Sequence, residues 1–197
     1  NRAPGGILSE GVKAEIEKRS GPAPVIDIPE IPRKAYGEAK RIASQSLCKL
    51  LTERKSTYSV CPMSMERLGQ NYGYPLYTTV LTNEDELRKI QLVGANDRAV
   101  ILLDGEIIAT LYDHDLQKAH HFETPVPVRK GARLEILVEN MGRVNYSYKL
   151  MQQRKGIDGA VVINNHLHYG WDIYCLDERA LREMPLEQEA AAGKPGV

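Results

Sequence analysis

The apolar positions change their period near residue 63. Before it they recur at helical spacing: Leu8, Val12 and Ile16 stand at i, i+4 and i+8, with Ser9 as a candidate cap and Ser20-Gly21-Pro22 as a stop. That spacing predicts one short amphipathic helix. Ala35, Ala39, Ile42, Ala43, Leu47, Leu50 and Leu51 predict a second helix within 35–52, against which Tyr36-Gly37 and the intervening serines weigh. Between the two, Pro22, Pro24, Pro29 and Pro32 oppose both helix and central strand and predict an extended linker over 21–33.

Beyond residue 63 the pattern becomes that of short strands divided by turns. Tyr74 to Leu81 is rich in β-branched and aromatic residues, with Pro75 suited to a strand start or edge. Ala99–Leu103 and Glu106–Leu111 flank Asp104-Gly105, a dipeptide fitted to a type I′ turn, and so predict a hairpin. Leu134, Ile136 and Val138 alternate with Arg133, Glu135 and Leu137, which predicts a strand with one apolar face. A further strand is predicted over Ala160–Ile163, and the acidic, Ala-rich stretch after Asp177 reads as a frayed or helical tail. Several short strands over 63–163 need a second apolar layer, so the expected fold is mainly β, an antiparallel sandwich of two sheets.

Composition narrows the function classes. Lys plus Arg equals Asp plus Glu at 26 each, so no net field favours nucleic acid or an anionic membrane surface. The longest apolar run, Ala99–Leu103, is far below the ~20 residues of a spanning helix. Cys48, Cys61 and Cys175 match neither a metal-ligand spacing nor a disulfide framework, and leave the redox compartment open. One Phe and one Trp beside ten Tyr predict a core of Val, Ile and Leu with tyrosines at its margins.

Candidate chemistry is sparse. His166 and His168 would share one strand face, with His114, His120 and His121 elsewhere, but no third ligand stands at a diagnostic spacing, so they read as solvated histidines and no metal or cofactor is expected. Asp113-His114-Asp115 and Glu84-Asp85-Glu86 lack the ligand order and glycine of a calcium loop and read as solvated turns. Neither a Gly-x-Ser-x-Gly elbow nor a Gly-rich phosphate loop is present. Glu139, Asn140, Gly142, Arg143 and Asn145 follow a strand and predict a hydrogen-bonded structural corner, with Glu139 and Arg143 placed to pair as carboxylate and guanidinium. Trp171 is a candidate for stacking on a sugar, although a lone Trp more often fills a core or a domain seam.

Several of these stretches, in order, resemble the β-galactosidases of glycoside hydrolase family 35. The most specific is Leu137-Val-Glu-Asn-Met-Gly-Arg-Val-Asn-Tyr146, supported by Leu68–Thr79, Asp97–Gly105, Lys155-Gly156-Ile157 and Gly170–Asp177. The resemblance implies a jelly-roll sandwich of the galactose-binding-domain type over 58–169. It makes 1–57 the remnant of a late barrel helix plus a Pro-rich linker, and 170–197 the entrance to a second β-domain and a tail. Members are retaining enzymes that hydrolyse terminal β-galactosides with two glutamates from a TIM barrel of roughly 250 residues. Neither glutamate motif is found in this chain, which is therefore expected to be inactive alone. Its implied partners are the catalytic barrel, a second β-domain and a β-galactoside, in a secreted, periplasmic or lysosomal parent. The resemblance also implies that Tyr146, of the Asn145-Tyr146 pair, reaches toward the barrel's sugar pocket. The alternative reading is a free-standing carbohydrate-binding module for galactosides.

Overall fold

In the computed structural model the alternating segments become strands close to where their pattern puts them. The structure describes residues 9–22, 32–40, 43–44, 46–52, 54–82, 85–177 and 182, and the chain divides into two units, Asn1–Lys40 and Arg41–Val197. In the first unit α1 (Glu10–Ser20) begins after Ser9, whose backbone is extended as a cap requires, although its side chain makes no cap bond. The helix buries none of its residues, and its exposed face carries a Glu15–Arg19 pair at 2.9 Å. Leu8, Pro24, Pro29 and the tail beyond 177, apart from residue 182, lie outside the described residues.

The second predicted helix needs correction. Residues 32–40 are irregular, Ile42 is not described, and among the described residues of this span only α2 (Leu47–Thr52) is helical. Gly37 stands at φ 79°, a left-handed conformation that interrupts a helix, so the apolar spacing there has no helix to act on. The six residues of α2 are too few to hold a helix alone. They are held by packing Leu47 and Leu51 on Leu76, Leu137 and Leu176, which point outward from a sheet.

That sheet has six antiparallel strands in the order β1 (Thr57–Ser59), β12 (Trp171–Leu176), β2 (Tyr74–Leu81), β8 (Ala132–Glu139), β5 (Arg98–Leu103) and β6 (Glu106–Tyr112). Opposite it lie four strands in the order β11 (His166–His168), β10 (Val161–Ile163), β3 (Glu86–Leu92) and β7 (His120–Pro127). A small pair, β4 (Ala95–Asn96) with β9 (Gly156–Ile157), closes one end. Ile101, Leu134, Ile136 and Val138 from the first sheet and Leu87, Ile90, Val161 and Ile163 from the second share one core, so the expected antiparallel sandwich is the fold. It extends past the expected 63–163. Residues 171–176, which the resemblance assigned to the entrance of a second β-domain, are hydrogen-bonded on both sides within this sheet.

One detail corrects the expected core. Tyrosines do not all stay at its margins: Tyr77 is fully buried at its centre. Its hydroxyl donates to the Met63 carbonyl at 2.7 Å and accepts the Ile157 N–H at 3.0 Å, and burial pushes its pKa far up. Gly156 stands at φ 77° against this hydroxyl, and a Cβ there would collide with Tyr77 Oη. Trp171 is also fully buried, and its indole N–H donates to the His168 carbonyl at 3.2 Å. Packed in the core, its ring presents no free face to a sugar in this structure.

The predicted hairpin is present. Leu103 pairs with Glu106 across Asp104 (φ 52°) and Gly105 (φ 86°), both in the left-handed region that a type I′ turn demands. Nothing lies within 4 Å of where a Gly105 Cβ would sit, so Gly105→Val should cost only backbone strain, about 1–3 kcal/mol. A thermal midpoint equal to wild type would contradict that turn. Tyr77→Phe removes the partner of two backbone groups while keeping the ring, and urea unfolding should show a loss of about 1–3 kcal/mol.

Candidate functional site

Strand β8 ends at Glu139, and the chain leaves the sheet as a loop that returns at Lys155. The predicted Glu139–Arg143 pair does not form. Glu139 is still on the strand, where its cross-strand neighbour is Arg98, and the two meet at 3.0 Å. Arg143 lies beyond the strand end and points instead to the segment before β2. Its Nε and Nη2 donate to the Asn71 carbonyl at 3.0 and 2.8 Å, and its Nη1 pairs with Glu66. Asn140 turns the chain: Nδ2 donates to the same Asn71 carbonyl at 2.9 Å, and Oδ1 accepts the Gly142 N–H at 3.0 Å.

A second ionic centre lies beside the first. The Lys155 side chain is almost fully buried, and its Nζ stands 2.5 and 2.7 Å from the two carboxylate oxygens of Asp97. Asp97 also accepts the Met141 N–H at 2.8 Å, while the Lys155 N–H donates to both Glu66 oxygens at 3.2 Å. Burial acts to raise the Glu66 carboxyl, but hydrogen bonds from Arg143, its own N–H and Lys155, with the Arg143 charge, outweigh it and hold the pKa below the usual range. An open depression of about 580 Å³ at the foot of the loop is bordered by Asp97, Tyr112, Arg143, Lys149, Gln153 and Lys155.

Above this base the loop exposes Met141, Tyr146, Tyr148, Leu150 and Met151, with Tyr146 95% accessible, and Asn145 beside it is exposed as well. Trp171 is no part of this arrangement and lies inside the core. Of the histidines, His166 is exposed, but His168 is half-buried, hydrogen-bonded to Thr79 Oγ1 at 2.9 Å and edge-on to Trp171, which corrects its reading as solvated. Among the described residues no three His, Cys, Asp or Glu side chains group closely enough to hold a metal. Glu66, Asn71, Asp97 and Lys155 escaped the reading of the sequence. No spacing rule joins them, and their one trace is that Asn71, Asp97 and Lys155 sit in the stretches that carry the family resemblance.

Glu66 gives this corner a pH signature. Its folded pKa is depressed, so its stabilising share is complete above the unfolded carboxylate pKa of about 4.3 and is lost as pH falls through the lower folded value. Arg143→His should lose about 1–2 kcal/mol at pH 7 by urea unfolding and flatten the acid limb of the stability curve. Arg143→Lys keeps the charge but not the fork to Asn71, and should lose less. Wild-type midpoints in both variants would remove the structural role of Arg143.

Comparison with known proteins gives the chain its family. Residues 62–177 match the family model of the first all-beta domain of β-galactosidase. The β-galactosidase of Mus musculus is 29% identical over 181 residues, covering 88% of this chain and 26% of the relative. β-Galactosidase-1-like protein 3 of Homo sapiens is 37% identical over 123 residues, covering 59% of this chain and 17% of the relative. The β-galactosidase of Xanthomonas manihotis is 30% identical over 118 residues, covering 60% and 19%. The chain thus spans about a quarter or less of the length of these relatives. With a family model matching more than half of its length, this chain belongs to the β-galactosidase family, in which it corresponds to the first all-beta, accessory domain.

Proposed function

We propose that the chain serves as a non-catalytic domain of a parent enzyme that hydrolyses terminal β-galactosides. In this reading it packs on the catalytic barrel through the loop 141–151 and lends Tyr146 to the wall of the sugar pocket, with a second β-domain as a further neighbour. The observation that carries it is the near-complete exposure of Tyr146, among four other large apolar side chains, on a loop tied down at its base. Apolar side chains gathered on one exposed loop favour a partner surface, and a loop already ordered loses less entropy on meeting it.

The carboxylates nearest to that loop support a structural duty. A retaining hydrolase needs one carboxyl held protonated as the acid, whereas Glu66 is biased toward ionisation and Asp97 is paired with Lys155. Bond chemistry then falls to the barrel, and this domain contributes contact and orientation.

Two measurements test the reading. In the parent enzyme Tyr146→Ala should raise KM for a galactoside about tenfold, equivalent to about 1.4 kcal/mol of binding, while the domain keeps its unfolding midpoint. Unchanged kinetics would reject the substrate-facing role. The chain alone, titrated with galactose and lactose by NMR, should show no saturable shifts, and saturable binding would favour the free-standing carbohydrate-binding module.

A further inference from the structure

The loop that carries Tyr146 is closed at its base twice, each time by one carboxylate that holds both ends. Asp97, between β4 and β5, takes the Met141 N–H where the loop begins and Lys155 Nζ where it ends. Glu66, in the segment before β2, takes Arg143 Nη1 near the beginning and the Lys155 N–H at the end. The two acids are anchored independently of the loop. Asp97 directly precedes β5 and its N–H donates to the Glu139 carbonyl at 3.1 Å, while Glu66 lies in a turn closed by the Gln70 N–H on the Met65 carbonyl at 2.8 Å and held to β12 by Gln70 Nε2 on the Leu176 carbonyl at 2.8 Å.

We propose that Asp97 and Glu66 are positioning residues for Tyr146, a pair of carboxylate clasps that fix the ends of 141–155 and so set where the exposed tyrosine is presented. The assignment rests on the reading of Tyr146 as the substrate-facing residue. A carboxylate suits this duty because it only accepts, and its two oxygens can serve several donors at once. The corresponding amide has one accepting oxygen and would turn N–H groups toward Lys155. The Lys155 ammonium is almost fully buried, so neutralising Asp97 leaves a buried charge uncompensated and favours opening of the loop base. From residue 144 to residue 153 the described backbone bonds of the loop are short-range, such as Leu150 N–H to the Ser147 carbonyl and Gln153 N–H to the Lys149 carbonyl. Its position on the sandwich is therefore set near its ends, where Arg143 also donates to the Asn71 carbonyl and Asn96 Nδ2 donates to the Arg154 carbonyl at 3.0 Å.

Asp97→Asn and Glu66→Gln keep side-chain size and test the clasps separately. By hydrogen exchange on the whole chain, amides of residues 144–152 should exchange ~tenfold faster in each variant, while those of β2 and β8 keep their wild-type rates. In the parent enzyme the same substitutions should raise KM and leave kcat within about twofold, the pattern of a displaced contact. Loop amides at wild-type rates in both variants would overturn the proposal, as would loop and sandwich amides accelerating together or a fall in kcat at constant KM. If Tyr146→Ala leaves KM unchanged while the loop amides still accelerate, the substrate-facing reading of Tyr146 fails and the clasps stand as loop anchors only.

Discussion

The hydroxyl of Tyr77 is the polar point on which this end of the sandwich depends. A buried hydroxyl without partners is costly, and this one is satisfied twice, by the Met63 carbonyl and the Ile157 amide. Those partners lie 14 and 80 residues away along the chain, one in the segment before β2 and one in β9. The bond pair thereby ties both segments to the middle of the core. Gly156 follows from it, because any side chain there would displace the hydroxyl. The Met65 N–H bond to the Lys155 carbonyl lies immediately beside it and brings Glu66 to Lys155.

From that tie the polar corner follows. Once residues 63–66 and 155–157 are side by side, Glu66 lies within reach of Arg143, and Lys155 can extend its buried amine to Asp97 just before β5. Strand β8 supplies the third side. Its inner residues Leu134, Ile136 and Val138 are immobilised in the core, so the point at which the chain leaves the sheet after Glu139 is fixed. Apolar packing therefore sets the root of the loop, and ionic hydrogen bonds set its direction.

The outer face of the larger sheet follows a different logic. Leu76, Leu137 and Leu176 point away from the core and would be wet without α2, which covers them with Leu47 and Leu51. A helix of six residues exists here because that apolar face exists, not because its own sequence is strongly helical. Burial in this layer raises the thiol of Cys48, while on the other face of β12, the face of Trp171 and Ile173, burial pushes the thiol of Cys175 up to about 11, so both behave as small apolar groups.

The sequence alone determined the strands in which alternation or turn chemistry acts over a few neighbours, and it left β3 and β7 of the smaller sheet unread. Tyr74–Leu81, the run ending at Val138 and the Asp104-Gly105 hairpin were all legible for that reason. It also pointed to the corner after β8 and to Tyr146, through one continuous stretch. What it misjudged was decided at long range. Arg143 passed over Glu139, four residues away, for Glu66, 77 residues away, because a strand end turns neighbouring side chains to different sides. Tyr77 went to the core, where its hydroxyl found a carbonyl that no local pattern announces. The helix expected within 35–52 kept only the part that a sheet face covers. Side-chain partners across a sandwich depend on which segments the core brings together, and that is a property of the packed chain as a whole.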